Sequence, residues 1–313
     1  MKHRIVLTAL ALVSLLWGGL GVRGSAEGRP PVAENLELET YRGVSVGGCL
    51  RAADPDGGTL RFVVTTPPGK GQVELGENGS FVYTPEEGRR GKDYFGYKAQ
   101  DAEGNLSQEA TVIIKLLKQK TVMRYTDTAG SAADCAALRL AEAGIYVGAQ
   151  LGGSYVFSPE QPVSREEFLA LCWKCAGLAP ADPDETAAFA DGDAVSAWAR
   201  GYVAAAARRG LVSGSPAGEG TGLMFRPADA ITVAEAAAIL DRTLSLTDAL
   251  QTWYALDEAI PAWARQSAAN LSACGLLPEG CRFTDETLRR GDAAVMLVRA
   301  MDLVEKRGNG ENG

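Results

Sequence analysis

The chain has 313 residues and a formal net charge of −8, with 22% charged and 7% aromatic residues. That length suits two or three globular domains, and the composition is not that of a disordered chain. The acidic balance, with no arginine-rich segment, offers no footprint for nucleic acid.

Residues 1–26 read as a secretory signal peptide: a basic start, MKHR, an apolar stretch, IVLTALALVSLLWGGLGV, and small residues at Gly24–Ala26 for cleavage. The expected destination is the cell surface, and later apolar runs are broken by charge before they reach bilayer length. The single histidine, His3, lies in this segment. A mature chain then has no histidine for a general base, a triad or a zinc site.

After a linker at 27–35, residues 36–117 alternate in short β-prone runs such as TLRFVVTT, GQVEL, SFVYTP and EATVIIKLL, separated by Pro, Gly and Asn turns. Such spacing predicts an antiparallel sandwich of two small sheets. Asp54, Asp56 and Asp101 offer hard oxygens to a calcium ion, but Asp followed by Gly is also a plain turn former. Calcium is the one cofactor the residues suggest. The pattern of Asp54, Pro55, Asp56, Gly57, Gly58, Gly71, Phe81, Tyr83, Pro85, Gly91, Asp93, Phe95, Tyr97, Asp101, Gly104 and Asn105 resembles bacterial cadherin-like and immunoglobulin-like modules. That resemblance implies a spacer or adhesive module.

Past a short linker at 118–122, alanine becomes dense and the apolar period becomes helical. One unit is written three times, over 123–180, 187–245 and 250–304, with a polar tail at 305–313. In the middle copy, Trp198, Tyr202, Val203 and Ala206 form an apolar stripe, and Gly210 suits a C-terminal cap. Thr232 and Glu235 fit a capping box at the start of the second helix. The first copy repeats the box as Ser164 and Glu167. Trp263 precedes Gly275 by the same twelve residues that separate Trp198 from Gly210, whereas Ala132 stands at the tryptophan position of the first copy. A unit of about 55 residues cannot bury enough apolar surface alone, so three are expected to close around one centre. The fold class expected is an all-β sandwich followed by an all-α, mainly helical body.

These units resemble S-layer homology modules. The matching residues are Tyr125, Asp127, Gly144, Ile145, Phe157, Pro159 and Ser164–Glu167 in the first copy. In the second they are Phe189, Asp191, Trp198, Ala199, Gly210, Leu211, Gly214, Phe225, Pro227 and Thr232–Glu235. The third offers Tyr254, Trp263, Ala264, Gly275, Leu276, Phe283 and Arg289–Asp292. The resemblance implies a pseudo-threefold body with grooves between modules, noncovalent attachment to secondary wall polysaccharide, often pyruvylated, and a carboxylate-binding arginine after the cap.

That arginine is Arg165 in the first copy. A planar guanidinium matches a carboxylate with two parallel hydrogen bonds, and a helix N-terminus adds unpaired donors. Val233 takes its place in the second copy. In the third, Arg290 aligns with it, Asp292 aligns with Glu167, and Arg289 replaces the cap. Trp198 and Trp263 either face a sugar or fill the core, the core being the plainer reading. Arg165, Glu167, Arg290, Asp292, Trp198 and Trp263 are therefore the candidate ligand residues.

Cys172 and Cys175 form a CxxC inside a predicted helix. Without a second such pair or a mature histidine it is a poor zinc site, and without a preceding strand it is a poor redox motif. Packing or disulfides involving Cys135, Cys172 and Cys175 fit better. Cys274 and Cys281 bracket a loop whose closure contributes about 2 kcal/mol or more in the entropy model. Glycosidase carboxylates would be sought at Glu166–Glu167 or Asp54–Asp56, but each pair has a plainer role in capping or turns. The expected function is a non-catalytic surface protein held to an anionic wall glycan and displaying its β-domain. The alternative is an envelope assembly protein whose repeats contact other proteins.

Overall fold

The computed structural model describes residues 28–182, 184–185, 187–216, 222–249, 260–277 and 286–310. The expected signal peptide, Cys281, Tyr254 and Phe283 lie outside the described residues. No helix among those described is long and apolar enough to cross a membrane.

The N-terminal domain holds β1 (Val32–Ala33), β2 (Leu36–Tyr41), β3 (Val46–Cys49), β4 (Ala52–Ala53), β5 (Arg61–Thr66), β6 (Gly71–Leu75), β7 (Ser80–Pro85), β8 (Gly91–Gln100) and β9 (Ala110–Leu117). One sheet runs β2-β9-β8-β5 and the other β3-β7-β6. The sandwich is not wholly antiparallel, because β2 pairs parallel with β9 from Leu36↔Val112 to Tyr41↔Leu117. In β9, Ala110, Val112, Ile114 and Leu116 point inward in strict alternation. They meet Leu50, Phe81, Tyr83, Phe95 and Tyr97 in the sandwich core. Buried Asp93 accepts hydrogen bonds from the Tyr83 hydroxyl at 2.8 Å and from the Lys70 and Gly69 amides at 2.8 and 3.0 Å. Its burial is thereby compensated.

The C-terminal region is not all-α. Between α1 (Asp134–Glu142) and α2 (Arg165–Cys175) lies a hairpin, β10 (Ala149–Leu151) and β11 (Ser154–Val156). A shorter pair, β12 (Ser215–Pro216) and β13 (Leu223–Met224), lies between α3 (Arg200–Arg208) and α4 (Val233–Leu244). The remaining helices are α5 (Arg265–Ala273) and α6 (Arg290–Gly310), so the segment expected as a tail continues a helix. Helical periodicity could not register the hairpins, which are too short to show alternation of their own.

The inner helices are α2, α4 and α6, with α2 touching both others; α3, α5 and α1 pack against α2, α4 and α6 respectively. At the centre Val163, Ile231 and Leu288 precede the three inner helices. Val163 N donates to Leu288 O at 3.1 Å, Leu288 N to Ile231 O at 2.8 Å, and Ile231 N to Val163 O at 2.9 Å. This closed ring satisfies backbone groups whose side chains are fully buried. The outer helices stop alike: Gly144, Gly210 and Gly275 have φ of 68°, 69° and 66°, the left-handed turn that glycine adopts without a Cβ penalty.

The first and second copies share one more brace. Asp127 accepts the amides of Phe157 and Ser158, and Asp191 those of Phe225 and Arg226. Ser158 and Arg226 are thereby held at φ 59° and 54°, uncommon for residues with a side chain.

Capping is complete at Thr232, whose hydroxyl accepts Glu235 N at 3.2 Å while the Glu235 carboxylate accepts Thr232 N at 3.1 Å. At Ser164 only half the box forms, the hydroxyl accepting Glu167 N at 3.2 Å. Thr232→Ala is expected to cost about 1 kcal/mol, read as a lower denaturation midpoint; an unchanged midpoint contradicts the capping role.

Candidate functional site

Each inner helix begins against the loop of the following copy. Arg165 N donates to Asp229 O at 3.0 Å and Glu166 N to Pro227 O at 3.1 Å; Arg290 N donates to Gln161 O and Gly291 N to Pro159 O, both at 2.8 Å. The backbone donors expected to be open to a ligand are therefore taken up by the protein itself. With Val233 N donating to Glu286 O at 3.1 Å, they define three seams: first to second copy, second to third, and third to first.

Arg165 lies across the first seam. Its Nε donates to Phe225 O at 2.8 Å, its Nη1 pairs with Glu235 at 2.5 Å, and the guanidinium sits 5.7 Å from the Phe225 ring centroid. Glu235 thus caps its own helix and balances the neighbour's arginine. The Arg165 side chain is 17% exposed. Arg290 repeats the arrangement at the third seam, more loosely. It lies 3.5 Å from Glu167, makes 3.3 Å contacts to the Phe157 and Ser158 carbonyls, and sits 5.5 Å from the Tyr146 ring centroid. Glu167, drawn toward Arg290, does not return to the Ser164 amide, which explains the half-formed box. Asp292 lines a cleft of about 580 Å³ on the third seam with Arg289, Asp127 and Phe81.

Trp198 and Trp263 do not fill the core. They are 54% and 55% exposed, each directly before the residue that opens an outer helix, Ala199 and Ala264. Among the described residues the buried tryptophan is Trp173, whose Nε1 donates to Ala179 O at 3.0 Å. The exposed indole of Trp198 flanks the first seam, because Ser196 two residues earlier donates from its amide and hydroxyl to Glu166 at 2.9 and 2.5 Å. Sequence reading gave Glu166 no part beyond a bland acidic pair. Its buried carboxylate pins the second copy to the first, a role visible only when the partner from the next repeat is in place.

The three seams are therefore unequal. The first has Arg165 and Trp198. The second has Trp263, but Val233 where the arginine would stand. The third has Arg290, but Ala132 where the tryptophan would stand.

The carboxylates offered for calcium have other partners. Asp56 accepts from Arg29 Nε and Nη2 at 3.0 and 2.9 Å, and the Arg29 amide beside it holds its carboxyl below the usual range. Asp54 accepts the Asp56 amide at 2.9 Å, and Asp101 accepts Asn105 N and Nδ2 at 2.7 and 2.8 Å. Among the described residues no three His, Cys, Asp or Glu side chains form a metal-binding group. Among the described residues Cys135, Cys172 and Cys175 carry thiols and form no disulfide with one another; Cys281, the partner expected for Cys274, lies outside the described residues. Cys135 faces Glu39 O of the β-domain at 3.7 Å, away from α2. Burial pushes the Cys172 thiol up to about 12 and raises that of Cys175 as well, which removes the thiolate that redox chemistry needs.

The bacterial cadherin-like domain family matches residues 29–118, and the S-layer homology domain family matches residues 188–237. The chain carries a bacterial cadherin-like domain followed by an S-layer homology domain. The S-layer homology match falls on the middle repeat; the first shares its cap and aspartate brace, and both the first and third share its helix-ending glycine and the central ring. This architecture associates the protein with the cell surface and gives it an Ig-like module. Among curated proteins none matches. Similar solved structures include an endo-fucoidan hydrolase of glycoside hydrolase family 107, at 15% identity over 31% of this chain and 17% of that one, with TM-score 0.24. A mutant of the SrpA adhesin from Streptococcus sanguinis gives 16%, 33%, 66% and 0.24, and the D00-D0 domain of intimin 14%, 30%, 50% and 0.23, in the same order. The chain spans less than a fifth of the fucoidan hydrolases it resembles, and scores this low carry no functional argument.

Glu166→Ala should leave the Ser196 amide and hydroxyl unpaired at the seam and cost about 1–3 kcal/mol, with Glu166→Gln losing less. Chemical denaturation measures both; equal midpoints for Glu166→Ala and the parent would remove Glu166 from the seam's support.

Proposed function

We propose that this protein is a non-catalytic envelope protein that holds an anionic, carboxylate-bearing wall glycan at its first seam. The single observation that carries the reading is the presence at that seam of both an exposed indole, Trp198, and a partly exposed guanidinium, Arg165. An indole face stacks on the apolar face of a sugar ring, and the guanidinium shares its charge between Glu235 and the ligand's acid group. Val233 gives the second seam a platform without a cation. Pyruvylated or uronic sugars both present the required carboxylate.

A second reading has its own support. The backbone donors at the inner helix starts are used between copies, and Arg165 already has a protein carboxylate. These features suit a repeat body that has kept its assembly contacts and contacts proteins in place of sugar.

Co-sedimentation with purified wall sacculi separates the two. Trp198→Ala, at an exposed position, should leave the melting temperature unchanged and weaken binding about tenfold, corresponding to roughly 1.4 kcal/mol. Trp263→Ala should bind within about twofold of the parent. Parent-like binding by Trp198→Ala sinks the first reading, and a parent protein that ignores sacculi favours the second.

A further inference from the structure

The β-domain does not project freely from the repeats; it rests on α1 and faces α6 across a cleft lined by Glu37, Glu39, Val298 and Asp302, and these two helices bound the third seam. Val44 is fully buried within the repeat core. Ser45 N donates to the buried carboxylate of Asp134 at 3.3 Å, and Cys135 N donates back to Ser45 O at 3.1 Å. The Tyr41 hydroxyl donates to Glu142 at 2.6 Å, and the linker amides of Lys120 and Thr121 donate to the same carboxylate at 2.7 and 3.0 Å. Every hydrogen bond in this set has one partner at the start or end of α1.

The point of closest approach is the repeat's tryptophan position. Ala133, Ala199 and Ala264 open the three outer helices, and the residues before them are Ala132, Trp198 and Trp263. A Cβ placed on Gly47 would lie 2.6 Å from the Ala132 Cβ and 3.1 Å from its Cα. The two backbones therefore meet through a glycine on one side and an alanine on the other. An indole at 132 and strand β3 cannot occupy this space together. In the other two copies the indole is present and exposed; the β-domain's Arg51 reaches the third copy only at Gly275, at the far end of its outer helix.

We propose that the β-domain is a built-in occupant of the third seam. Its β2–β3 segment fills the aromatic position of the first copy, locks the two domains into one body and leaves the chain with two open seams. The lock acts at the aromatic position rather than at the arginine, since Arg290 and Arg165 are equally exposed at 17%. The number of open seams matters for ligand only if the glycan reading holds; the lock itself does not depend on it.

The test is hydrogen exchange on the full mature chain carrying Gly47→Val or Ala132→Trp. Valine suits a strand, so the first variant perturbs the contact from the β-domain side while leaving the repeats' own sequence intact. In both variants the Ser45 and Cys135 amides should exchange at least about tenfold faster, while the Val163, Ile231 and Leu288 amides stay protected. Parent-like protection at Ser45 and Cys135 in both variants overturns the lock. Loss of protection at the central ring in Gly47→Val also overturns it, because the β-domain would then be part of the repeat core rather than an occupant of one seam. Sacculus binding measured in parallel should be unchanged by Gly47→Val, and a failure there bears on the glycan reading alone.

Discussion

Val163, Ile231 and Leu288 meet in the middle of the repeat body, and each passes one backbone hydrogen bond to the next, closing a three-membered ring. The rest of the C-terminal structure depends on that closure. The residue after each ring member caps an inner helix or stands in the cap position, and the next one carries, or has lost, the seam arginine. Because the ring fixes where all three inner helices start, it also fixes which loop each start meets. Breaking one link would leave a buried donor and acceptor unpaired. The ring thus explains why three units are present although their ligand residues differ.

What was legible in the sequence was local. Thr232 and Glu235 announce a helix start because both halves of the box lie within four residues. Gly144, Gly210 and Gly275 announce helix ends because left-handed backbone selects glycine. The sandwich was legible from alternation, as in Ala110 to Leu116. What stayed hidden was set by partners far along the chain. Nothing near Arg165 tells that Glu235, seventy residues later, balances it, or that Ser196 occupies Glu166. The exposure of Trp198 and Trp263 was hidden too, because an aromatic at helical spacing looks like core until the neighbouring copy is in place. The parallel β2–β9 pair, the short hairpins and the docking of Gly47 on Ala132 are likewise products of long-range closure.

In the proposed reading, Arg165 serves assembly and recognition together. Arg165 bridges to the Phe225 carbonyl and Glu235, which orders its fork before any ligand arrives. Preorganisation of this kind lowers the entropy cost of binding. It also means that removing the arginine weakens a seam as well as a site, so a loss of binding in such a variant is not a clean measure of recognition. Trp198, exposed and outside the core, is the cleaner reporter. Its counterpart position in the first copy, Ala132, shows the same place on the repeat adapted to receive a protein strand.

The central claim is that the first seam, and not the second, is the place where a wall glycan is held. Indole Nε1–H resonances, followed while solubilised wall polysaccharide is titrated into the protein, test this most directly. The account predicts that the Trp198 signal moves in a saturable way while those of buried Trp173 and of Trp263 stay in place. A titration that leaves Trp198 unmoved, or moves Trp263 alone, would contradict it.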